Sequence, residues 1–234
     1  MPDQEERTLG RIDLFAGLPA ETVRKIEQDS RWRIYGPDEQ ILARASESRD
    51  VHFVARGEVQ VVNYSLTGRE IAFARVRSGG YFGDLAAIDG APRSADVVAV
   101  TESLIATLSP AKFQSLLSDY PALAMQVLAR LAQIVRACND RIMDLGTFRA
   151  VQRVHIELLR LAKRKAPDDG DWIIQPLPTH KDIASRAVTS RETVTRVISQ
   201  LARDGVVERK GNTLLIRGRE TLERLAEGGE SEPL

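Results

Sequence analysis

The hydrophobic pattern of this chain changes period once, and that change constrains its fold more than any other feature. From Arg31 to Leu108, apolar residues alternate in short runs: "WRIYGPDEQILARA", "DVHFVARGEVQVVNYSLTGREIAFARV", "DVVAV" and "SLIATL". Gly, Pro and Asp separate the runs, and "SLTGRE" reads as a glycine-containing hairpin turn. Such period-two runs predict an antiparallel β-sandwich or barrel. From Ala124 the spacing changes to fours and threes, at Ala124, Leu128, Leu131, Val135, Cys138, Ile142 and Leu145. One long helix over about Ala122 to Leu145 follows, and a stripe that narrow favours a seam between two copies of the chain. A helix facing its own core is the alternative reading.

The flanks are helical. "LFAGLPAETVRKIEQDS" predicts one or two short helices before the strands, and "SPAKFQSLLSDYP" another after them, with Ser109 as N-cap and Pro110 at the first position. Gly146 breaks the long helix and Thr147 caps a new one, so a domain boundary is expected there. "DDGDW" is then a turn and "WIIQPLP" an extended segment. The chain divides on this reading into residues 1–121, 122–148 and 149–226, with 227–234 a disordered tail.

Charge follows the same division. The formal net charge is zero. Residues 1–148 hold 17 basic and 20 acidic side chains, a net of −3, whereas 149–226 hold 16 and 10, a net of +6. A basic C-terminal domain suggests a polyanionic partner, although a surplus of that size is usually solvated surface. No apolar run reaches the roughly 18 residues of a membrane span, and "MPDQEERTLGR" is too polar for a secretion signal. With a single cysteine there is no disulfide framework and no four-thiolate cluster. The expected compartment is the cytoplasm.

The C-terminal domain carries the most specific pattern, "THKDIASRAVTSRETVTRVISQLARDGVVERKGNTLLI". Thr179 caps one short helix, and Ser190 caps a second that ends at Asp204 and Gly205. On the second, Val194, Val197, Ile198 and Leu201 recur at helical spacing and face the core. Glu192, Arg196, Ser199 and Arg203 then face outwards, with Arg191 in the first turn. Arginine donates two hydrogen bonds to guanine and glutamate accepts from cytosine, so this face reads as a helix-turn-helix reader. Two strands about Gly211 and Asn212 make it winged.

Upstream, "YFGDLAAIDGAPRSADVVAV" sets a glycine, a carboxylate, a cation, a hydroxyl and a small residue within one short stretch. A phosphate needs a cation, a hydroxyl and close backbone approach, which Arg93, Ser94 and Ala95 supply. Asp84 would be repelled by phosphate but accepts from a ribose hydroxyl, and Gly83 lets the backbone approach the sugar. A nucleotide with one singly charged phosphate, a cyclic nucleotide, fits.

"FGDLAAIDGAPRSADV" resembles the phosphate-binding cassette of cyclic-nucleotide-binding domains, and "SRETVTR" resembles the recognition helix of the CRP/FNR family of bacterial regulators. The resemblance implies an α+β chain: a jelly-roll-like β-roll, a long dimerisation helix and a winged helix-turn-helix. It implies a homodimer that takes cAMP, or cGMP, as allosteric effector and then grips a palindromic site on double-stranded DNA. It also implies a contact with RNA polymerase, and neither a metal nor a membrane. Gly83, Asp84 and Leu85 would lie at the ribose, and Arg93, Ser94 and Ala95 at the cyclic phosphate. Ser190, Arg191, Glu192, Thr195, Arg196 and Ser199 would meet DNA. The family's adenine-contacting threonine and serine align with Cys138 and Asn139, and Asp84 replaces a customary glutamate. A thiol is a poor donor, whereas an amide offers both donor and acceptor, so similar affinity for cAMP and cGMP is expected.

Two other readings stand beside this one. A cyclic-nucleotide module that regulates a partner protein is opposed by "SRETVTR". A family member sensing another signal would lack cysteines for an iron–sulfur cluster, but haem ligation by a histidine stays open. Ser94 has no His–Asp constellation, and no catalytic set appears, so an enzyme is not expected. His52, His155 and His180 lack metal-ligand spacing, Trp32 and Trp172 read as core, and Cys138 reads as a seam hydrophobe before a redox switch.

Overall fold

The computed structural model describes residues 7–65, 70–164 and 172–228, in two compact units that divide between Arg136 and Ala137. The tip of the "SLTGRE" turn and residues 165–171, which hold all of "DDGDW" but its tryptophan, lie outside the described residues.

The first unit opens with a 3-10 turn at Asp13–Phe15 and helix α1 (Ala20–Asp29). Eight strands follow: β1 (Arg31–Tyr35), β2 (Gln40–Leu42), β3 (Val51–Arg56), β4 (Glu58–Tyr64), β5 (Glu70–Arg77), β6 (Tyr81–Phe82), β7 (Asp96–Ala99) and β8 (Ser103–Leu108). They form two four-stranded sheets, ordered β1-β8-β3-β6 and β2-β7-β4-β5, and every recorded pairing is antiparallel. Strand β3 is apolar apart from His52 through Val54 and buried on both faces, so it reads as a continuous run and not as an alternation. Between β6 and β7 lies the short helix α2 (Asp84–Asp89). Helix α3 (Pro110–Asp119) follows β8, and Ser109 accepts from the Lys112 backbone as its cap.

Helix α4 (Pro121–Thr147) is 27 residues long and crosses the division between the units. Leu123, Val127 and Leu131 turn into the core made by Leu9, Phe15, Phe53, Leu108 and Phe113. Leu128, Val135, Ile142 and Leu145 are exposed. The expected stripe is therefore divided. Leu131 packs inside its own chain, while the exposed members leave an uncovered apolar row. The helix also runs through Gly146, and the cap of the next helix is Arg149, not Thr147: the Arg149 N–H donates to Gln152 Oε1 at 3.0 Å. A glycine costs a helix only about 1 kcal/mol, too little to stop it here.

The second unit contains α5 (Ala150–Leu161), β9 (Lys163–Arg164), β10 (Trp172–Ile174), α6 (His180–Arg186), α7 (Arg191–Arg203), β11 (Val207–Lys210), β12 (Thr213–Ile216) and α8 (Arg219–Glu227). The strands form one antiparallel sheet in the order β11-β12-β10-β9. Its core joins Val154 and Leu158 of α5 to Ile183 of α6, Val194, Val197 and Leu201 of α7, and Leu222 of α8. Helix α8 is not anticipated by the sequence reading, although Leu222, Leu225 and Ala226 carry its apolar spacing. It includes Glu227, so the expected tail begins too early. Gly228, at φ +99°, closes the helix in the left-handed region. Residues 229–234 lie outside the described residues.

Candidate functional site

The cassette is built around one buried cation. Arg93 is only 4% exposed. Its backbone is fixed first: the Arg93 N–H donates to Ser46 O at 3.0 Å and its carbonyl accepts from Ala45 at 2.8 Å. The guanidinium then donates from Nε to Ser48 Oγ at 3.0 Å, from Nη1 to Gly83 O at 2.8 Å, and from Nη2 to Asp50 O at 2.7 Å. All three acceptors are neutral, and among the described residues no carboxylate is ion-paired to it. Burial pushes its pKa down, and the carboxylates of Asp50 and Asp84 partly oppose that shift. Asp50 itself is engaged by Arg31 at 2.6 Å. A cation desolvated in this way favours a bound anion.

Gly83 is fixed by the same contacts. It holds φ +81°, and a Cβ there would lie 2.7 Å from Arg93 Nη1 and 3.0 Å from Asp50 O. Only glycine fits both the left-handed backbone and the approach of the guanidinium. Asp84 begins α2 and is 5% exposed. Leu85 and Ser94 are exposed, Ala95 is buried, and the Ser94 carbonyl accepts from Asn63 Nδ2 at 3.3 Å. Gly83 and Arg93 thus meet directly, with Asp84 next to Gly83 and Ser94 and Ala95 next to Arg93 in the chain, while Leu85 is exposed on α2.

Two further residues lie near Gly83 and Asp84 that the sequence reading does not place at the site. Arg130, on α4, lays its guanidinium 3.9 Å from the centre of the Tyr81 ring and donates from Nη2 to Tyr81 O at 2.8 Å. Its Nη1 stands 3.9 Å from Asp84 Oδ2, and both atoms are buried without a hydrogen-bond partner. The second is His52, which stacks on Phe82 with centroids 5.0 Å apart and bonds Thr107 Oγ1 through Nδ1 at 3.0 Å. Its Nε2 is buried without a partner. Burial, then the Arg93 and Arg31 cations, push its pKa down to about 3. Arg130 had a signal, a lone cation inside the apolar run "VLARLAQIV". His52 had none, because a histidine in a strand carries no spacing.

Cys138 and Asn139 are exposed and belong to the second unit. In the sequence of α4 they lie eight and nine residues beyond Arg130. Between Pro121 and Gly146 the helix has neither serine nor threonine.

In the second unit, the reader face is assembled as its spacing predicts. Ser190 accepts from the Thr193 backbone at 3.2 Å and caps α7. Arg191, Glu192, Arg196 and Ser199 are exposed beyond it. The α7 backbone, the Ser190 hydroxyl and the Arg191 cation together hold the Glu192 carboxyl below its ordinary range. The guanidiniums of Arg191 and Arg196 make no hydrogen bond or ion pair to a described residue, so both keep their donors. Thr195 differs: its hydroxyl donates to Arg191 O at 3.0 Å and bonds His180 Nδ1 at 2.8 Å. Thr195 therefore offers a methyl group more readily than a donor. Among the described residues no His, Cys, Asp and Glu side chains cluster as a metal site, and no helix is long and apolar enough to cross a membrane.

Comparison with known proteins finds relatives for both domains. Residues 32–120 match the model of the cyclic nucleotide-binding domain, and residues 152–225 that of the Crp-like helix-turn-helix domain. The cyclic AMP receptor protein of Thermus thermophilus is 32% identical over 218 residues, covering 92% of this chain and 97% of that protein. A crystal structure of the Thermus thermophilus catabolite activator protein superposes with a TM-score of 0.52 at 30% identity, covering 92% of this chain and 98% of that one. The c-di-GMP responsive global regulator CLP of Xanthomonas campestris shares the fold, with a TM-score of 0.70 at 20% identity, over 85% of this chain and 99% of that one.

Proposed function

Because this chain belongs to the CRP/FNR family of DNA-binding transcription regulators, we propose that its β-roll takes a cyclic nucleotide and thereby sets the affinity of its reader for DNA. The family is one of regulators, not enzymes. The observation that carries the effector class is Arg93, a cation buried to 4% exposure with neutral acceptors only. A singly charged cyclic phosphate supplies the missing counter-charge, and the exposed Ser94 supplies a hydroxyl beside it. A ribose hydroxyl placed between Asp84 Oδ2 and Arg130 Nη1 accepts from the cation and donates to the carboxylate, which satisfies both orphaned atoms.

The working form we propose is a homodimer joined along α4. Leu128 and Val135 are 56% and 58% exposed, and Ile142 is 65% exposed, at the four-and-three spacing of a two-stranded seam. Two reader helices related by the resulting two-fold axis would match a palindromic operator whose half-sites lie about 34 Å apart. Arg191, Glu192, Arg196 and Ser199 would face base edges, and an RNA polymerase contact would complete activation. Asn139, beside the seam, would meet the nucleobase held by the partner.

A second reading keeps the regulator and changes the effector. The absence of serine and threonine from Pro121 to Gly146 of α4 removes the hydroxyls that would select adenine, and one fold relative is described as responsive to c-di-GMP. Calorimetric titration with cAMP, cGMP and c-di-GMP separates the two. The proposal expects cAMP and cGMP to bind within about tenfold of each other, a difference of about 1.4 kcal/mol. Binding of c-di-GMP alone would establish the second reading, and binding of none would remove the cyclic nucleotide from the account.

A further inference from the structure

The turn between α6 and α7 is held by four consecutive carbonyls, and two arginines hold all four. Arg141, near the end of α4, donates from Nη2 to Ser185 O at 3.1 Å and to Arg186 O at 2.6 Å. Arg153, on α5, donates from Nε to Ala187 O at 2.9 Å and from Nη2 to Val188 O at 3.0 Å. The remaining nitrogen of Arg153, Nη1, donates to Phe148 O at 2.7 Å, in the link between α4 and α5. Ser185 O, Arg186 O and Ala187 O belong to the last turn and cap of α6, where water or a glycine cap ordinarily serves the terminal carbonyls, and Val188 O lies one residue beyond.

The turn needs that support. Val188 holds φ +48°, where a β-branched side chain is strained. Such a residue costs of order 1–3 kcal/mol and persists only where its surroundings over-determine it. Glu157, 8% exposed, holds its carboxylate 3.5 Å from Arg186 Nη1. A second link, Asp144 to Arg160 at 2.6 Å, joins α4 to α5 at the surface.

We propose that Arg141 and Arg153 form a double clamp on the α6–α7 turn, through which the last turns of α4 and the Phe148 carbonyl set the position of the recognition helix. This inference rests on the reading of α7 as the DNA reader. Both arginines act as positioning residues, since neither is on the face of α7 that meets DNA. The clamp gives α4 a grip on the reader at its turn, where a small shift moves the start of α7 and the bases it addresses. Any state of the protein in which α4 turns relative to the reader must break or remake the two Arg141 bonds.

Amide hydrogen exchange on the full chain tests the clamp without reference to effector or DNA. Arg141→Ala is the informative variant, because Arg141 lies outside the apolar core of the reader. It is expected to raise exchange of residues 139–147 at least tenfold while leaving Val194 to Leu201 unchanged. Arg153→Lys, which cannot span three carbonyls, is expected to raise exchange at 187–190 as well. Unchanged exchange at 139–147 in Arg141→Ala, or faster exchange throughout the reader, overturns the clamp. DNA titrations add the functional reading: in Arg141→Ala the ratio of affinities with and without cAMP should change at least fivefold. An equal loss in both conditions makes Arg141 merely structural and also overturns the proposal. A wild-type protein whose DNA affinity ignores cyclic nucleotide contradicts the effector reading, and the exchange data still decide the clamp.

Discussion

Arg130 Nη1 and Asp84 Oδ2 face each other across 3.9 Å, both buried and neither hydrogen-bonded. The gap is too long for a charge-assisted hydrogen bond, and one oxygen lying to its side reaches both atoms. The pair joins the cassette helix α2 to α4, so whatever fills the gap reports on both. If a ribose hydroxyl fills it, 2′-deoxy-cAMP should bind wild-type protein about 10- to 100-fold more weakly than cAMP, as expected for a bond to a charged group. In Asp84→Ala the difference between the two ligands should shrink to under about threefold by the same reasoning. Calorimetry with both ligands on both proteins completes the cycle, and an undiminished difference in the variant places the hydroxyl elsewhere.

Arg93→Ala should remove effector binding by at least about 1.5–3 kcal/mol, the scale of a charge-assisted bond. Sequence reasoning alone expects the fold to be untouched. The structure adds a second effect, because Ser48 Oγ, Gly83 O and Asp50 O lose their donor together. Arg93→Lys should restore neither property, since an ammonium cannot present three donors in a planar fork. Calorimetry gives the first quantity and thermal melting the second. A lysine variant with wild-type affinity would mean that charge alone suffices.

The proposed dimer seam and the core of the first unit use different leucines. Leu128→Asp should dissociate the dimer and leave the melting of the β-roll unit unchanged, because Leu128 is 56% exposed in the single chain. Leu131 packs against the core of that unit, so Leu131→Asp should lower its melting temperature whatever the oligomeric state. Sedimentation velocity and melting curves on both variants separate the two effects. Leu128→Asp still sedimenting as a dimer would place the interface off this row.

His52 makes the β-roll sensitive to acid. Its pKa is ordinarily near 6.5 and falls to about 3 in the folded chain. Below pH 6.5 the unfolded chain binds a proton that the folded chain refuses. Stability is therefore complete above that pH and declines as the pH falls towards 3. At pH 5 this one site should cost about 2 kcal/mol relative to neutral pH. His52→Phe keeps the stack on Phe82 and removes the titration, so it should lose about 2 kcal/mol less between pH 7 and pH 5 by urea denaturation. Equal losses in the two proteins would show that His52 accepts its proton while folded.

The two-period pattern was enough for the sandwich, the long helix and the reader, because each buries a face whose spacing is written in one local stretch. Gly83, Asp84, Arg93 and Ser94, the residues of the proposed effector site, stand out in the sequence for a similar reason: their chemistry is unusual when set so close together. Arg130, His52 and Ser48 were not, since they reach the cassette from α4, β3 and the β2–β3 loop, and no local spacing announces such a meeting. Leu131 shows the limit of periodicity. It shares the stripe of Leu128 and Val135, and only packing reveals that it turns inward. Helix α8 was passed over because "RETLERLAE" has three apolar positions in nine and nothing in front of it but the wing.

The central claim is that a cyclic nucleotide in the β-roll governs DNA binding by α7. It is tested most directly by fluorescence anisotropy on a duplex selected by the protein from a random pool, titrated at one fixed salt concentration with and without saturating cAMP or cGMP. The account predicts that at least one nucleotide tightens binding tenfold or more, a coupling of about 1.4 kcal/mol or greater. The same tightening should be absent in Arg93→Ala. A dissociation constant for DNA that is identical with and without both nucleotides would contradict it.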